Sequence, residues 1–485
     1  MELYEQTVCG LRKMIDAKEV SCREVLDAYV ARMDDTDKKI NAYITKTVDC
    51  AQKKADELDR KLAEGADIGP LGGIPYALKD NMCTKGILTT CSSQLLKNFV
   101  PPYNAFVYDR LQDSGAVLIG KADMDEFAMG STCENSSFGE VKNPYDLTRV
   151  PGGSSGGSAA NVSAGAAVFA LGSDTGGSVR NPAAFCGITG FKPTYGTVSR
   201  YGLIAYASSL DQIGPLTKDA ADCAKIMNAI AGHDGRDSTS LDQPKFDYES
   251  FLTEGIKGMK VGVDRKAVET GLDPAVKSAY EATIATFESL GAEIVDVNFR
   301  LLEYAVPVYY LVACSEASSN LARFDGIRYG VREWGDNVEE IIVNSRSKGF
   351  GDEVKRRIML STYALSAGYY DMYYNKALKV RRLIKEDIYR VFESCDVYLC
   401  PTTPMPALKR GETVDDHMAL YLSDIFTVTA NLAGIPAMAF PAGMTDGGLP
   451  IGMQLYGKGL GEAPLFRAVH NFQLATDWHK QRPNL

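Results

Sequence analysis

The chain has 485 residues and a formal net charge of −10, with 45% hydrophobic and 24% charged residues. These are the proportions of an ordinary globular protein with one large core or two to three smaller ones, and the acidic balance argues against wrapping nucleic acid directly, because phosphate binding wants a basic surface. The apolar runs fall far short of the roughly 20 residues that cross a bilayer. The acidic start Met1-Glu2-Leu3-Tyr4-Glu5 has no signal-peptide core, and 11 scattered cysteines without a CxxC pair predict reduced thiols in a cytoplasmic protein with no metal site.

The first seventy residues read as helices. Ser21-Cys22-Arg23-Glu24 is a capping box followed by Val25, Leu26, Tyr29 and Val30 at helical spacing. A second helix is predicted over Thr47 to Glu64, closed by Gly65. Strands then begin, with Ile74 to Leu78 and Ala116 to Gly120 as short buried runs. Lys260 to Val263, a helix opening at Asp273-Pro274 and closing at Leu290-Gly291, and the strand Glu293 to Val297 form a βαβ signature. Residues 300–395 read as mostly helical and rich in tyrosine, a lid or subdomain. Strands return at Asp396 to Cys400 and Pro450 to Leu455. Strand–helix alternation predicts an α/β fold around a mixed sheet. With no repeat and no low-complexity linker, a single domain over 1–485 is expected. Its parts are N-terminal helices at 1–70, a core at 71–220 and the helical segment at 300–395.

Between Gly152 and Gly190 lie ten of the 45 glycines. They fall in two clusters, Gly152-Gly153-Ser154-Ser155-Gly156-Gly157-Ser158 and Gly172-Ser173-Asp174-Thr175-Gly176-Gly177-Ser178, joined by a run of small apolar residues from Ala159 to Leu171. A linker would be polar throughout. Glycines here let backbone N–H donors converge, and serines on tight buried turns suggest a nucleophile beside an oxyanion hole. Two other motifs do not carry chemistry. Gly115 to Lys121 has the G-x-x-x-x-G-K spacing of a P-loop, but Ala122 replaces the magnesium-binding hydroxyl and the interior is a strand. Gly152 to Gly156 fits the G-x-S-x-G elbow, but the turn-rich segment 143–151 stands where that motif needs a strand. The four histidines, His233, His417, His470 and His479, lie far along the chain from the clusters. A serine nucleophile would then need another base. Lys79, at the end of an apolar run and before Asp80-Asn81, is the candidate, because burial can hold a lysine neutral.

The two clusters, their continuation Gly187-Ile188-Thr189-Gly190-Phe191-Lys192-Pro193-Thr194, the segment Gly72 to Asn81 and the segment Ser209 to Pro215 resemble the amidase signature family over nearly the whole chain. The resemblance implies the family's α/β fold, a large mixed sheet covered by helices on both faces. It also implies a Ser-cisSer-Lys triad, with Ser178 as nucleophile, Ser154 as proton relay and Lys79 as base. The backbone N–H groups of Thr175, Gly176, Gly177 and Ser178 would form the oxyanion hole.

Within the family, Ser315 to Gly330, Gly351 to Ile358, Leu365 to Asp371, Tyr421 to Asp424 and Asn431 to Pro436 are similar to the glutaminase subunits of tRNA-dependent amidotransferases. That likeness implies glutamine as substrate, with Arg357 holding its α-carboxylate and Asp424 its α-amino group. Met129, Ser131 and Tyr309 would line the pocket. Arg356 and Tyr310 are the neighbouring alternatives. No cofactor is implied on this chain. ATP and magnesium would sit on a partner, the tRNA-binding kinase/transferase subunit, and a small third subunit would complete the complex. A free-standing amidase acting on small or aryl amides is the alternative reading.

Overall fold

The computed structural model describes residues 2–243, 246–269, 271–412 and 423–485. Eleven strands among them form one mixed sheet: β1 (Tyr43–Lys46), β2 (Pro75–Lys79), β3 (Val117–Ala122), β4 (Phe169–Asp174), β5 (Thr189–Lys192), β6 (Gln212–Thr217), β7 (Lys260–Val263), β8 (Glu293–Asp296), β9 (Val397–Pro401), β10 (Ala437–Met444) and β11 (Pro450–Gly457). Their spatial order is β1-β3-β2-β4-β6-β5-β10-β11-β9-β7-β8. Two parallel wings, β3-β2-β4 and β9-β7-β8, flank an antiparallel centre. Every residue of β2, β3, β4, β6, β9 and β11 is buried, which requires cover on both faces of the sheet.

That cover comes from helices α1 (Val8–Asp16), α2 (Cys22–Ile40), α3 (Val48–Ala63), α4 (Phe106–Asp113), α5 (Gly156–Ser163), α6 (Arg180–Phe185), α7 (Ala220–Ile230), α8 (Pro274–Ser289), α9 (Ala305–Leu321), α10 (Val338–Gly349), α11 (Asp352–Ala364), α12 (Lys376–Val391), α13 (Val428–Ala433) and α14 (Glu462–Ala475). The expected end signals act where they were placed. Ser21 and Glu24 close a reciprocal capping box on α2. Gly65 takes φ +75° just past α3. Asp273 caps α8 with Pro274 in its first turn, and Gly291 follows at φ +86°.

Some elements differ from expectation. The small-residue run splits into α5 and β4, with the turn between them at Ala164–Gly165. Its residues are small because α5 lies directly on backbone: a Cβ on Gly157 would stand 2.4 Å from the Asp123 carbonyl oxygen. Strands β1, β4, β5, β6 and β10 were not anticipated, and β1, paired antiparallel with β3, interrupts the first seventy residues that read as helices. β10 carries Pro441, normally a mark against a central strand, and the ladder with β11 shifts register between Pro441 and Gly443, the bulge that accommodates it. The P-loop-like lysine, Lys121, lies on β3 in a buried ion pair with Asp80 at 3.1 Å.

Candidate active site

The parallel register of β2 on β4 builds the site. Tyr76, Ala77 and Leu78 stand opposite Phe169, Ala170 and Leu171, so Lys79, the last residue of β2, emerges beside Gly172-Ser173 at the carboxyl ends of both strands. This is where open α/β sheets place their ligands. Lys79 is wholly buried. Its Nζ lies 2.8 Å from Ser154 Oγ, 2.8 Å from Ser155 Oγ, 3.0 Å from Ser173 Oγ and 3.3 Å from the Ser173 carbonyl. Burial lowers its pKa to about 8, against the opposing pull of Cys133 and of the carboxylates Asp125, Asp174 and Asp211. The Ser155 hydroxyl donates to the Ser173 carbonyl at 3.2 Å, and Ser173 Oγ accepts the Asn81 side-chain amide at 2.9 Å. Ser154 Oγ has Lys79 Nζ as its one protein partner among the described residues. A neutral Nζ has a single lone pair; the Ser155 hydroxyl is committed to the Ser173 carbonyl, which leaves the Ser154 and Ser173 hydroxyls as the donors placed to fill it.

Ser154 sits in the turn before α5, after a cis peptide bond from Gly153. The Ser155 N–H donates to the Ser178 carbonyl at 3.1 Å, holding the two serine clusters side by side. Lys79 and Ser154 are fully buried, whereas Ser178 keeps 8% of its surface exposed. Of the three, Ser178 is the one a substrate can reach.

The turn before Ser178 is fixed from below. Asp174 accepts the Gly177 N–H at 2.9 Å and the Val179 N–H at 3.2 Å. It pairs with the buried Arg180, whose Nε lies 3.0 Å from Oδ2. Arg180 also donates to the Thr427 carbonyl, Asn431 Oδ1 and Gln454 Oε1. Burial alone would raise the Asp174 pKa, but the Arg180 guanidinium outweighs it and holds the carboxyl at about 2. Glycine is required at 177: its φ is +132°, and a Cβ there would meet Thr427 Oγ1 at 2.5 Å. The Gly177 N–H, expected in the oxyanion hole, is instead directed at Asp174. The backbone N–H groups of Thr175, Gly176 and Ser178 meet no protein acceptor among the described residues. Replacing Arg180 with leucine should cost about 3–5 kcal/mol, because it strands a buried carboxylate. Denaturant unfolding checks this, with an unchanged midpoint as the adverse result.

The expected substrate residues gather above this turn. Tyr309 on α9 covers Gly176 so closely that a Cβ there would lie 2.4 Å from its Cζ. Its neighbour Tyr310 donates its hydroxyl to Asp424 at 3.1 Å, and Ser131 Oγ donates to the same carboxylate at 3.0 Å. Both tyrosines therefore belong to the site. Arg357 on α11 is buried, and its guanidinium lies over the Tyr310 ring with 5.4 Å to the centroid. It donates to Glu353 at 2.7 Å and to the Tyr206 hydroxyl at 2.8 Å. Arg356 also pairs with Glu353 but is partly exposed, so Arg357 is the inward member of the pair. Met129 is buried in the loop that carries Ser131. Burial raises the Asp424 pKa to about 7, while the Ser131 and Tyr310 hydroxyls and Arg357 pull it down.

Sequence reasoning missed several residues that hold this arrangement. Ser155 and Ser173 share the lysine with Ser154, and their places within the two clusters were an available signal. Asp211, inside a motif already noted, ties the Thr175 hydroxyl (2.7 Å) to the Tyr206 N–H (2.9 Å). It thereby links the nucleophile turn to the residue that orients Arg357. Thr427 donates to the Gly176 carbonyl at 2.6 Å, and nothing local in the sequence points to it.

Comparison with known proteins shows the family. The amidase family profile matches residues 24–466. The chain is 55% identical over 486 residues to the glutamyl-tRNA(Gln) amidotransferase A subunit of Heliobacterium modesticaldum, covering all of both chains. It is 55% identical, again over 486 residues and the whole of both chains, to the protein of that name from Carboxydothermus hydrogenoformans. Among solved structures, the glutamyl-tRNA(Gln) amidotransferase A subunit of Thermotoga maritima superposes with a TM-score of 0.80 at 40% identity, covering 96% of this chain and 94% of that one. The peptide amidase of Stenotrophomonas maltophilia superposes with a TM-score of 0.81 at 28% identity, covering 97% of this chain and 96% of that one. Lys79 meets the hydroxyls of Ser154, Ser155 and Ser173 at the ends of β2 and β4, whereas Ser178 Oγ makes no hydrogen bond to either Ser154 or Lys79; with a family match over most of its length, this chain belongs to the amidase family.

Proposed function

We propose that the chain is the glutaminase subunit of a glutamyl-tRNA(Gln) amidotransferase, releasing ammonia from glutamine by a Ser178–Ser154–Lys79 relay. The observation that carries this reading is a buried cation, Arg357, and a buried carboxylate, Asp424, that both meet Tyr310, the neighbour of the Tyr309 that covers the Gly176 turn. A free amino acid presents one anion and one cation on its α-carbon, and that pair is complementary to both. An amidase for neutral aryl amides has no use for either charge.

In this reading neutral Lys79 takes the Ser154 proton while Ser154 takes the Ser178 proton, and Ser178 Oγ attacks the side-chain amide carbon of glutamine. The developing oxyanion meets the N–H groups of Thr175, Gly176 and Ser178. The C–N bond breaks, the proton returns through Ser154 to the departing nitrogen, and ammonia leaves a glutamyl ester on Ser178. Water, deprotonated by the same relay, cleaves the ester to glutamate. Ammonia is mostly protonated in neutral water and useless there as a nucleophile, so it passes to a partner subunit. ATP, magnesium and the tRNA belong to that partner, and a small third subunit completes the complex. The chain itself acts as a single domain in the cytoplasm.

Glutamine hydrolysis measured with and without co-expressed partners tests the assignment. The chain alone should be weak, and the complex should be faster and coupled to ATP and glutamyl-tRNA. Full activity on unrelated amides without partners would overturn it. Asp424→Asn, which keeps shape but removes charge, should raise KM for glutamine about 10- to 100-fold, the value of one charge-assisted hydrogen bond. It should leave ammonia usable as a direct nitrogen donor. Unchanged glutamine kinetics would misplace the pocket.

A further inference from the structure

Asp125 stands behind the relay, in the segment that follows β3, and is wholly buried. Its N–H donates to the Ser154 carbonyl at 3.3 Å. Its carboxylate accepts the Cys133 N–H at 3.0 Å, the Asn135 N–H at 3.4 Å and the Asn135 side-chain amide at 3.2 Å. Gly153 and Gly130 press on it from two sides, and a Cβ on either would overlap the carboxylate. Gly153 precedes the relay serine and Gly130 precedes Ser131, so one buried carboxylate reaches both loops because both neighbours are glycine.

A buried carboxylate usually has a cation in contact with it. Asp80 and Asp174 follow that rule, with Lys121 and Arg180. Asp125 has no ion-pair partner among the described residues, and its carboxylate bonds to N–H groups instead. The cation it faces is Lys79, whose Nζ lies 2.8 Å from Oγ of the serine that Asp125 holds. Burial pushes the Asp125 carboxyl up to about 6, against the pull of these N–H groups and of Lys79, so it is ionised where the relay works. The other groups around Lys79 carry no comparable charge. Cys133 stays a thiol, because burial raises it well above its usual range. Asp174 is committed to Arg180. Asp211 serves the Thr175 hydroxyl and the Tyr206 and Ala207 N–H groups, and Arg200 faces it. Asp123, which faces Cys133, is tied to the Ser92 and Ser136 hydroxyls.

Taking the Ser154 proton turns neutral Lys79 into an ammonium sealed from water, a costly state unless an anion stands near. We propose that Asp125 is a positioning residue of the relay, whose carboxylate holds the Gly153–Ser154 turn and supplies the counter-charge for the lysine ammonium formed in each turnover. The inference rests on the lysine relay proposed above and adds the group that makes its charged state tolerable. The proton stays on Lys79 until it returns through Ser154, and Asp125 neither takes nor gives one.

The test is the pH dependence of kcat and KM for glutamine, measured on the assembled complex with Asp125→Asn, which keeps shape and removes charge. An anion favours the ammonium, so its removal lowers the Lys79 pKa and the neutral amine persists into more acid solution. The acid limb of kcat, set by a lysine at about 8 in wild type, should move down by about one pH unit. The plateau kcat should fall at least about threefold, because a weaker base drives the transfer less. KM should be unchanged, since no group that meets the substrate is altered. Asn135→Ala covers the case in which Asp125→Asn does not fold. It keeps the carboxylate but deletes one donor to its ionised form, so Asp125 protonates sooner as pH falls and the decline of kcat below about pH 7 should be shallower than in wild type. A kcat that falls with its acid limb in place would mean that Asp125 only shapes the turn, and would overturn the counter-charge. An unchanged profile in either folded variant overturns it as well. A raised KM with kcat kept would assign Asp125 to the Ser131 loop and likewise overturns it. A wild-type complex with no acid limb at all would contradict the lysine relay itself, whereas a wild-type limb that the variants do not move contradicts this inference alone.

Discussion

Replacing Ser178 with alanine is expected to lower glutamine hydrolysis by about 10⁴-fold or more, the scale seen when a covalent nucleophile is removed from a serine relay. The expectation rests on position. Ser178 follows two glycines, keeps a surface open to the pocket, and stands beside the three backbone N–H groups that lack protein acceptors among the described residues. Its carbonyl is held by the Ser155 N–H and the turn beneath it by Asp174. Loss of one part-exposed hydroxyl should therefore change stability by less than about 1 kcal/mol. An inactive protein with a wild-type melting curve is the predicted outcome. Use of free ammonia by the complex should survive, since that route bypasses the serine. Near wild-type ammonia release from the variant would remove Ser178 from the mechanism.

Replacing Lys79 with alanine should cost at least about 10²–10⁴-fold, the usual contribution of a general base. The pH dependence is the sharper test. Burial sets the Lys79 pKa at about 8, and only the neutral amine can accept the Ser154 proton. The active fraction therefore rises with pH and levels off above about 8. Below that point kcat should fall roughly tenfold per pH unit. Asp424 behaves differently. Its pKa near 7 means that acid neutralises the carboxylate that would hold the substrate ammonium. KM should accordingly rise as pH falls through about 7, and this second dependence should vanish in Asp424→Asn while the kcat profile stays. A kcat flat from pH 6 to 8 would exclude a neutral lysine base.

Much of this site could be read from the chain because its parts are local in sequence. The apolar run ahead of Lys79 marks a buried strand, and a lysine at its end has few reasons to be there. The paired glycines before Ser178 mark a backbone that must turn tightly and expose its amides. The remaining parts are not local. Tyr206 meets Arg357 across 151 positions, and Thr427 meets Gly176 across 251. No periodicity or spacing encodes such a pairing, because it is fixed only when α9, α11 and the segment leading into α13 settle on the sheet. Three of the missed strands have a different cause. β5, β6 and β10 contain Gly190, Gly214, Pro215 and Pro441, which dilute the apolar pattern that identifies a strand. Gly190 and Gly214 are there because backbone passes too close for a side chain: a Cβ at Gly214 would stand 2.0 Å from the Phe191 carbonyl oxygen. The expectation that Gly177 donates to the oxyanion failed for a related reason. Motif position places its amide correctly, but the direction of that amide is set by Asp174, which Arg180 holds in turn.

The central claim is that Ser178, and no other serine of the two clusters, carries the glutamyl group. Rapid acid quenching of the working complex with glutamine, followed by peptide mapping by mass spectrometry, tests it directly. The predicted result is a glutamyl ester on the peptide containing Ser178, appearing at the rate of ammonia release and absent from Ser178→Ala. An ester on Ser154, Ser155 or Ser173, or full turnover with no ester on any serine, would contradict it.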